Sequence, residues 1–315
     1  MPLDPQVQEF LNQYNQYQMP PMDSIDPKMI RAIEQSSALK QMASQTDIYR
    51  VEDRTIPLAD RQVPVRLYTP TDAEAHPALV FYHGGGWVLG SLDSHDELCR
   101  RLAREAECVV ISVDYRLAPE HPFPAAVWDA YDSLNYIAEH AEEYGIDAGR
   151  IALSGDSAGG NLAAVACIIA RDKSGPSVCY QLLFYPSTGN ATDTRSYQEN
   201  GYGYLLTADM MNWFRKCYFE QSEDENHPYA SPVLSSDLNG LPPATIITAE
   251  YDPLRDSGAE YARRLQEEGV EAEYICYEGM IHGFVTMSQL DRAQEAIRQS
   301  AARLRHVYQN RYLNE

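Results

Sequence analysis

Positive charge is scarce in this sequence. Lys and Arg number 25 against 46 Asp and Glu, a formal net charge of −21 at pH 7, and the lysines are only Lys28, Lys40, Lys173 and Lys216. Phosphate backbones and anionic membrane surfaces repel such a protein, so no nucleic acid and no membrane is expected as a partner. The acidic excess is spread along the chain instead of gathered in a tail, which reads as a solubilising surface. Long apolar runs are also missing: Leu162 to Ala170, the longest nearly apolar stretch, is about half of the ~20 residues that span a bilayer. No C-x-x-C occurs. The scattered Cys99, Cys108, Cys167, Cys179, Cys217 and Cys276 argue against a zinc site or a thioredoxin-type motif, and they are expected to be mostly buried, small apolar residues. Met1-Pro2-Leu3-Asp4-Pro5 has neither a basic nor an apolar signal-like region, so a soluble, cytoplasmic protein is expected.

What is present suits one large α/β domain. The chain has 315 residues, 44% of them hydrophobic, enough for a sizeable core. From about residue 62, strand-like runs alternate with helical patterns. The runs are Val63 to Tyr68, Ala78 to Tyr82, Cys108 to Val113, Ile151 to Leu153, Tyr180 to Tyr185, Ala244 to Ala249 and Tyr274 to Tyr277. Mostly continuous apolar runs fit strands buried on both faces of a parallel sheet. Helices are expected over Asp93 to Glu105 and Ala125 to Ala141, with another opened by Pro253 behind Asp252. Alternation of this kind means an α/β fold with a mainly parallel sheet, whose chemistry sits beyond the carboxyl ends of the strands. Residues 1–45 and about 188–230 break the alternation; neither could bury a core alone, and together they would form a helical cap.

One motif carries chemistry most directly. Gly155-Asp156-Ser157-Ala158-Gly159 is a G-x-S-x-G between a strand and a helix, where a sharp, strained turn lifts the Ser157 hydroxyl out of the sheet. His83-Gly84-Gly85-Gly86-Trp87 also stands at a strand end, and three glycines leave backbone N–H groups unobstructed, as an oxyanion hole requires. Ser157 needs a base. His282 follows the last strand by a short loop beside Gly283, whereas His306 falls in a helical run. For the acid that orients the base, Glu250, Asp252 and Asp256 compete. Asp256 lies inside the helix, and Asp252 sits in the loop, where it could reach an imidazole N–H or merely cap that helix.

Together these residues resemble the hormone-sensitive-lipase-like branch of the α/β-hydrolases, the bacterial carboxylesterases with a helical cap. The similarity runs from about residue 75 to 285. It rests on the His83-to-Trp87 loop, Asp114-Tyr115-Arg116-Leu117-Ala118-Pro119-Glu120, Gly155 to Gly160, Asp252-Pro253-Leu254-Arg255-Asp256 and Ile281-His282-Gly283-Phe284. The resemblance implies an α/β-hydrolase core over 46–187 and 231–315, with cap segments at 1–45 and 188–230. It implies Ser157 as nucleophile, His282 as base and Asp252 as orienting acid. Oxyanion donors would be Gly85, Ala158 and either Gly84 or Gly86, with Gly86 favoured. Within the Asp114-to-Glu120 segment, Arg116 and Glu120 are expected to pair.

The expected activity is hydrolysis of short- to medium-chain carboxylic esters through an acyl-enzyme, with no cofactor and no metal. Trp87, Tyr185, Met210, Met211 and Phe214 are candidate walls of the substrate pocket, with Phe10, Leu11, Tyr14, Tyr17 and Trp213 as further cap residues. Lipase and amidase activity share the same triad. A non-catalytic receptor on this scaffold would lack the histidine that stands here at 282. The resemblance implies a monomer or homodimer.

Overall fold

The structure is a computed structural model describing residues 2–16, 20–41 and 45–312. Among the described residues eight strands form one sheet: β1 (Arg50–Pro57), β2 (Gln62–Thr69), β3 (His76–Tyr82), β4 (Val109–Val113), β5 (Ile146–Asp156), β6 (Val178–Phe184), β7 (Ala244–Tyr251) and β8 (Ala272–Ile281). Their order is β1-β2-β4-β3-β5-β6-β7-β8. Strands β3 to β8 run parallel, and β2 pairs antiparallel with both β1 and β4. The helices are α1 (Pro5–Tyr14), α2 (Pro27–Gln41), α3 (Asp96–Ala106), α4 (Ala125–Glu139), α5 (Ala141–Tyr144), α6 (Ala158–Asp172), α7 (Arg195–Asn200), α8 (Ala208–Tyr218), α9 (Arg255–Glu267) and α10 (Asp291–Tyr312).

Side chains alternate across a strand, so the sheet builds a core on each face. Ala78, Val80 and Tyr82 of β3 join one core with α4, α6 and α9, while Leu79 and Phe81 join the other with α3, α10 and α1. Helix α6 is buried without a break from Ala158 to Ala170. Its apolar run is therefore the central helix behind the Ser157 turn, held between β5 and the outer helices.

All seven expected runs coincide with strands, with Cys108 and Tyr185 just outside β4 and β6, but β1 escapes sequence reading. It carries Arg50, Glu52, Asp53 and Arg54, and Ile56 is its one buried residue. Those charges suit an edge strand, where they discourage further pairing. Strand β8 runs on to Ile281, past Gly279 at φ 75°, so His282 follows the strand directly and no loop intervenes. The expected helix to Ala141 ends at Glu139; α5 follows and is closed by Gly145 in the left-handed conformation at φ 66°. Four cysteines are buried, Cys217 and Cys276 are half-buried, and all six thiols are free.

The two segments outside the alternation dock differently. Helix α1 buries Val7 and Leu11 in the core beside β8, and the Asp4 N–H donates to the Gly279 carbonyl at 3.1 Å. Helix α2 reaches the loops after β3 and β4. Arg31 donates to the carbonyls of Val88 (2.7 Å) and Ala118 (2.5 Å) and to both oxygens of Glu120. Glu120 is thus the partner of Arg31, and the expected Arg116–Glu120 pair does not form. Arg116 instead holds the buried Asp129 at 2.9 Å, because α4 brings that carboxylate against the turn. Tyr17 lies outside the described residues.

Candidate active site

The glycines around Ser157 are required by space. A Cβ on Gly159 would stand 1.9 Å from the Tyr82 carbonyl oxygen, and one on Gly155 would stand 2.4 Å from the Gly159 backbone. The turn from β5 into α6 therefore crosses β3 at backbone contact, and Ser157 takes φ 55°, ψ −117°. Its N–H donates to the Phe184 carbonyl at 2.9 Å, and its own carbonyl accepts from Asn161 and Ser187 at 3.1 Å each. Hydrogen bonds on both sides hold the strained residue in place.

At the carboxyl ends of β7 and β8 the structure brings together the three residues singled out in the sequence. Nε2 of His282 lies 2.9 Å from Ser157 Oγ, and Nδ1 lies 2.8 Å from Asp252 Oδ2. A carboxylate only accepts, so Nδ1 carries the proton and the Nε2 lone pair faces the serine hydroxyl. Asp252 is fully buried. Its second oxygen, Oδ1, accepts the Leu254 N–H at 2.8 Å. Of the two roles that competed for Asp252 in the sequence, the helix cap is not taken: α9 begins at Arg255 behind Leu254, without a side-chain cap, and the Oδ1 bond instead closes the turn that leads into it. Glu250 is directed elsewhere, accepting from Gly279 N–H at 2.7 Å. Asp256 accepts from Ser196 N–H at 2.7 Å.

In the glycine loop, Gly85 and Gly86 adopt φ 116° and 60°, conformations open to glycine. Gly84 differs from them. Its N–H donates to Asp156 Oδ1 at 2.7 Å, which removes Gly84 from the expected oxyanion donors. Among the described residues, the N–H groups of Gly85, Gly86 and Ala158 have no hydrogen-bond partner. Sequence reasoning missed the partner of Asp156, since His95 Nε2 stands 3.0 Å from the same oxygen. Burial opposes charge on both groups, yet the Asp156 charge holds the His95 imidazole above its usual range and His95 in turn holds Asp156 below its own.

Beside Ser157 opens a cavity of about 650 Å³ of atom-free space, counting the solvent at its mouth. Trp87, Met211 and Phe214 line it as expected, joined by Leu206 and Phe219, and it includes the Arg215–Glu225 ion pair. Trp87 is held by flat stacking on Tyr218, with centroids 4.4 Å apart. Two candidate wall residues lie elsewhere. Tyr185 is fully buried with its ring 4.8 Å from that of His282, where it backs the imidazole. Met210, on α8, is half-buried against the core and outside the lining. Phe10, Leu11, Tyr14 and Trp213 also fall outside the lining: α1 docks beside β8, away from the cavity.

Near the glycine loop, burial and then the Asp93 charge push the Asp114 carboxyl up to about 6. A carboxyl raised in the folded state binds its proton more tightly there than when unfolded. It therefore contributes stability at low pH that is lost as pH rises between about 4 and 6. Asp114→Asn is expected to flatten the Tm-against-pH curve over that interval, and an unchanged slope would contradict this. No helix among the described residues is long and apolar enough to cross a membrane. Among them no group of three His, Cys, Asp or Glu is arranged to hold a metal ion.

A parallel α/β sheet that presents a hydrogen-bonded serine, histidine and aspartate at its carboxyl edge defines the α/β-hydrolase class. The chain belongs to that family: the family model described as alpha/beta hydrolase fold matches residues 79–286. Carboxylic ester hydrolase LipN of Mycobacterium tuberculosis is 48% identical over 76% of this chain, and the aligned part spans 65% of LipN. Carboxylesterase NlhH of the same species is 44% identical over 76% of each chain. Among solved structures, a hyperthermophilic esterase from the archaeon Pyrobaculum calidifontis superposes with a TM-score of 0.92 at 49% identity, covering 97% of this chain and 99% of that one. These relatives agree with the hormone-sensitive-lipase-like resemblance drawn from the motifs.

Proposed function

We propose that this protein is a serine carboxylesterase acting on short- to medium-chain esters. The observation that carries the reading is the Ser157–His282–Asp252 chain, with contacts of 2.9 and 2.8 Å, opening onto an apolar cavity. His282 Nε2 takes the hydroxyl proton as Ser157 Oγ bonds to the ester carbonyl carbon. The carbonyl oxygen becomes an oxyanion, received by the N–H groups of Gly85, Gly86 and Ala158. Losing one such donor typically costs about 2.7–4 kcal/mol of transition-state stabilisation. The tetrahedral species then expels the alcohol, which leaves with the proton from His282, and Ser157 stays acylated. Water attacks the acyl carbon while His282 accepts its proton, and release of the acid restores the hydroxyl.

Trp87, Met211 and Phe214 form the wall of the acyl pocket in this reading. Helix α2 and residues 188–230 serve as the cap in place of the whole of residues 1–45, supported by the hold of Arg31 on the glycine loop and by Phe214, whose ring occupies the space that a Cβ on Gly86 would need. The test is hydrolysis of p-nitrophenyl esters from acetate to palmitate. A maximum at butyrate to octanoate is expected. A maximum at palmitate would replace carboxylesterase by lipase, and inactivity on every ester with turnover of anilides would make the protein an amidase.

A further inference from the structure

We propose that His95 is a positioning residue for the oxyanion-binding loop: acting through the Asp156 carboxylate, it fixes Gly84 and so aims the N–H groups of Gly85 and Gly86 at the ester oxygen. The proposal rests on the esterase reading above. Gly84 and His95, 11 residues apart, meet the remote Asp156 at one buried carboxylate. Asp156 precedes the nucleophile, yet its side chain reaches across to the glycine loop, where Oδ1 accepts from Gly84 N–H at 2.7 Å. The same oxygen meets His95 Nε2 at 3.0 Å, and that nitrogen also stands 3.3 Å from Gly84 N. Contact is close enough that a Cβ on Gly84 would stand 2.4 Å from Asp156 Oδ2.

His95 is fixed in its turn. Its Nδ1 lies 2.8 Å from Ser94 Oγ, and its ring packs beside the His83 ring at a centroid distance of 5.6 Å. From α2, Glu34 accepts from Gly90 N–H at 3.2 Å, which ties the far end of the same loop. Its charge also favours the protonated imidazole.

Without the imidazole, a carboxylate buried at this point loses the neighbour that holds its pKa below the usual range, and burial then favours its protonated form. A neutral carboxyl is the weaker acceptor, so Gly84 would be held less firmly. The displacement needed to matter is small, because a shift of about 1 Å in a catalytic group can lower turnover about 100-fold. Gly84 itself gives no hydrogen bond to the substrate in this scheme; giving its N–H to Asp156 sets the direction of the next two.

The test compares the full chain with His95→Ala and His95→Gln, measuring kcat and KM on p-nitrophenyl butyrate and amide deuterium exchange. In His95→Ala, kcat should fall by up to about 100-fold with KM within about twofold, on the scale of a misplaced donor. Exchange should accelerate in residues 83–90 but not in 157–161. The glutamine side-chain N–H can restore the bond to Asp156, so His95→Gln should recover most of the lost kcat. Unchanged kcat, a rise in KM alone, or a glutamine variant no better than alanine would each overturn the proposal. If His95→Ala does not fold, Asp156→Asn decides. A kcat loss at constant KM supports the positioning role, and an unaltered kcat overturns it. Failure of the wild type to hydrolyse any ester would sink the esterase reading instead, and the exchange of residues 83–90 would still report on the hold that His95 has on the loop.

Discussion

Ser157→Ala is expected to remove ester hydrolysis almost completely, with kcat falling by about 10⁴- to 10⁶-fold, as when a triad nucleophile is deleted. The size follows from the two-step chemistry: without Oγ no acyl-enzyme forms, and what remains is water acting in a site still lined by oxyanion donors. Stability should hardly change. The hydroxyl is a small group at the mouth of the cavity, and alanine meets the same backbone conformation as serine. The measurement is turnover of p-nitrophenyl butyrate beside a thermal melt. Retention of more than a few per cent of activity by a variant with native Tm would show that Ser157 is not the nucleophile.

Asp252→Asn should lower kcat by about 10⁴-fold, the loss typical when a triad aspartate becomes an amide. Here the structure supplies a particular reason. One oxygen of Asp252 accepts from His282 Nδ1 and the other from the Leu254 N–H. Asparagine has one acceptor and one donor end. Turned to keep the Leu254 bond, it presents its NH₂ to Nδ1, which drives the proton to Nε2 and removes the lone pair that faces Ser157. Turned the other way, it sets a donor against the Leu254 N–H. Asp252→Ala loses both bonds, and the buried Leu254 N–H left without its acceptor should cost about 1–3 kcal/mol of stability in addition. Glu250→Gln serves as the control and should keep near-native turnover, since Glu250 is directed at Gly279. If Glu250→Gln is the more damaging of the two, the acid has been misassigned.

Much of this site was legible because its signals are local. Gly155 to Gly159 and the His83-to-Trp87 loop each fall at the end of an apolar run, so strand, turn and chemistry are read from contiguous residues. Their places after the last strands, with the family resemblance, then pointed to His282 and Asp252, and the fold brings them within hydrogen-bond reach. The errors came where a side chain answers to a distant segment. Glu120 pairs with Arg31 from α2 and Arg116 with Asp129 from α4, and no spacing within the Asp114-to-Glu120 segment announces either. Gly84 was grouped with its two neighbours because the three are identical in sequence; only the approach of Asp156 separates them. Strand β1 hid for another reason: an edge strand with one buried residue carries almost no apolar pattern to read.

The conformation of Ser157 bears on how such a site persists. A side chain at φ 55° with ψ −117° occupies backbone space natural only to glycine, at a cost of about 1–3 kcal/mol. Drift toward a more stable chain would therefore favour glycine at this position and erase the nucleophile. A serine kept there marks a trade in which heritable robustness yields to reactivity, and a thermostabilising selection run without an activity screen would begin its losses at this residue.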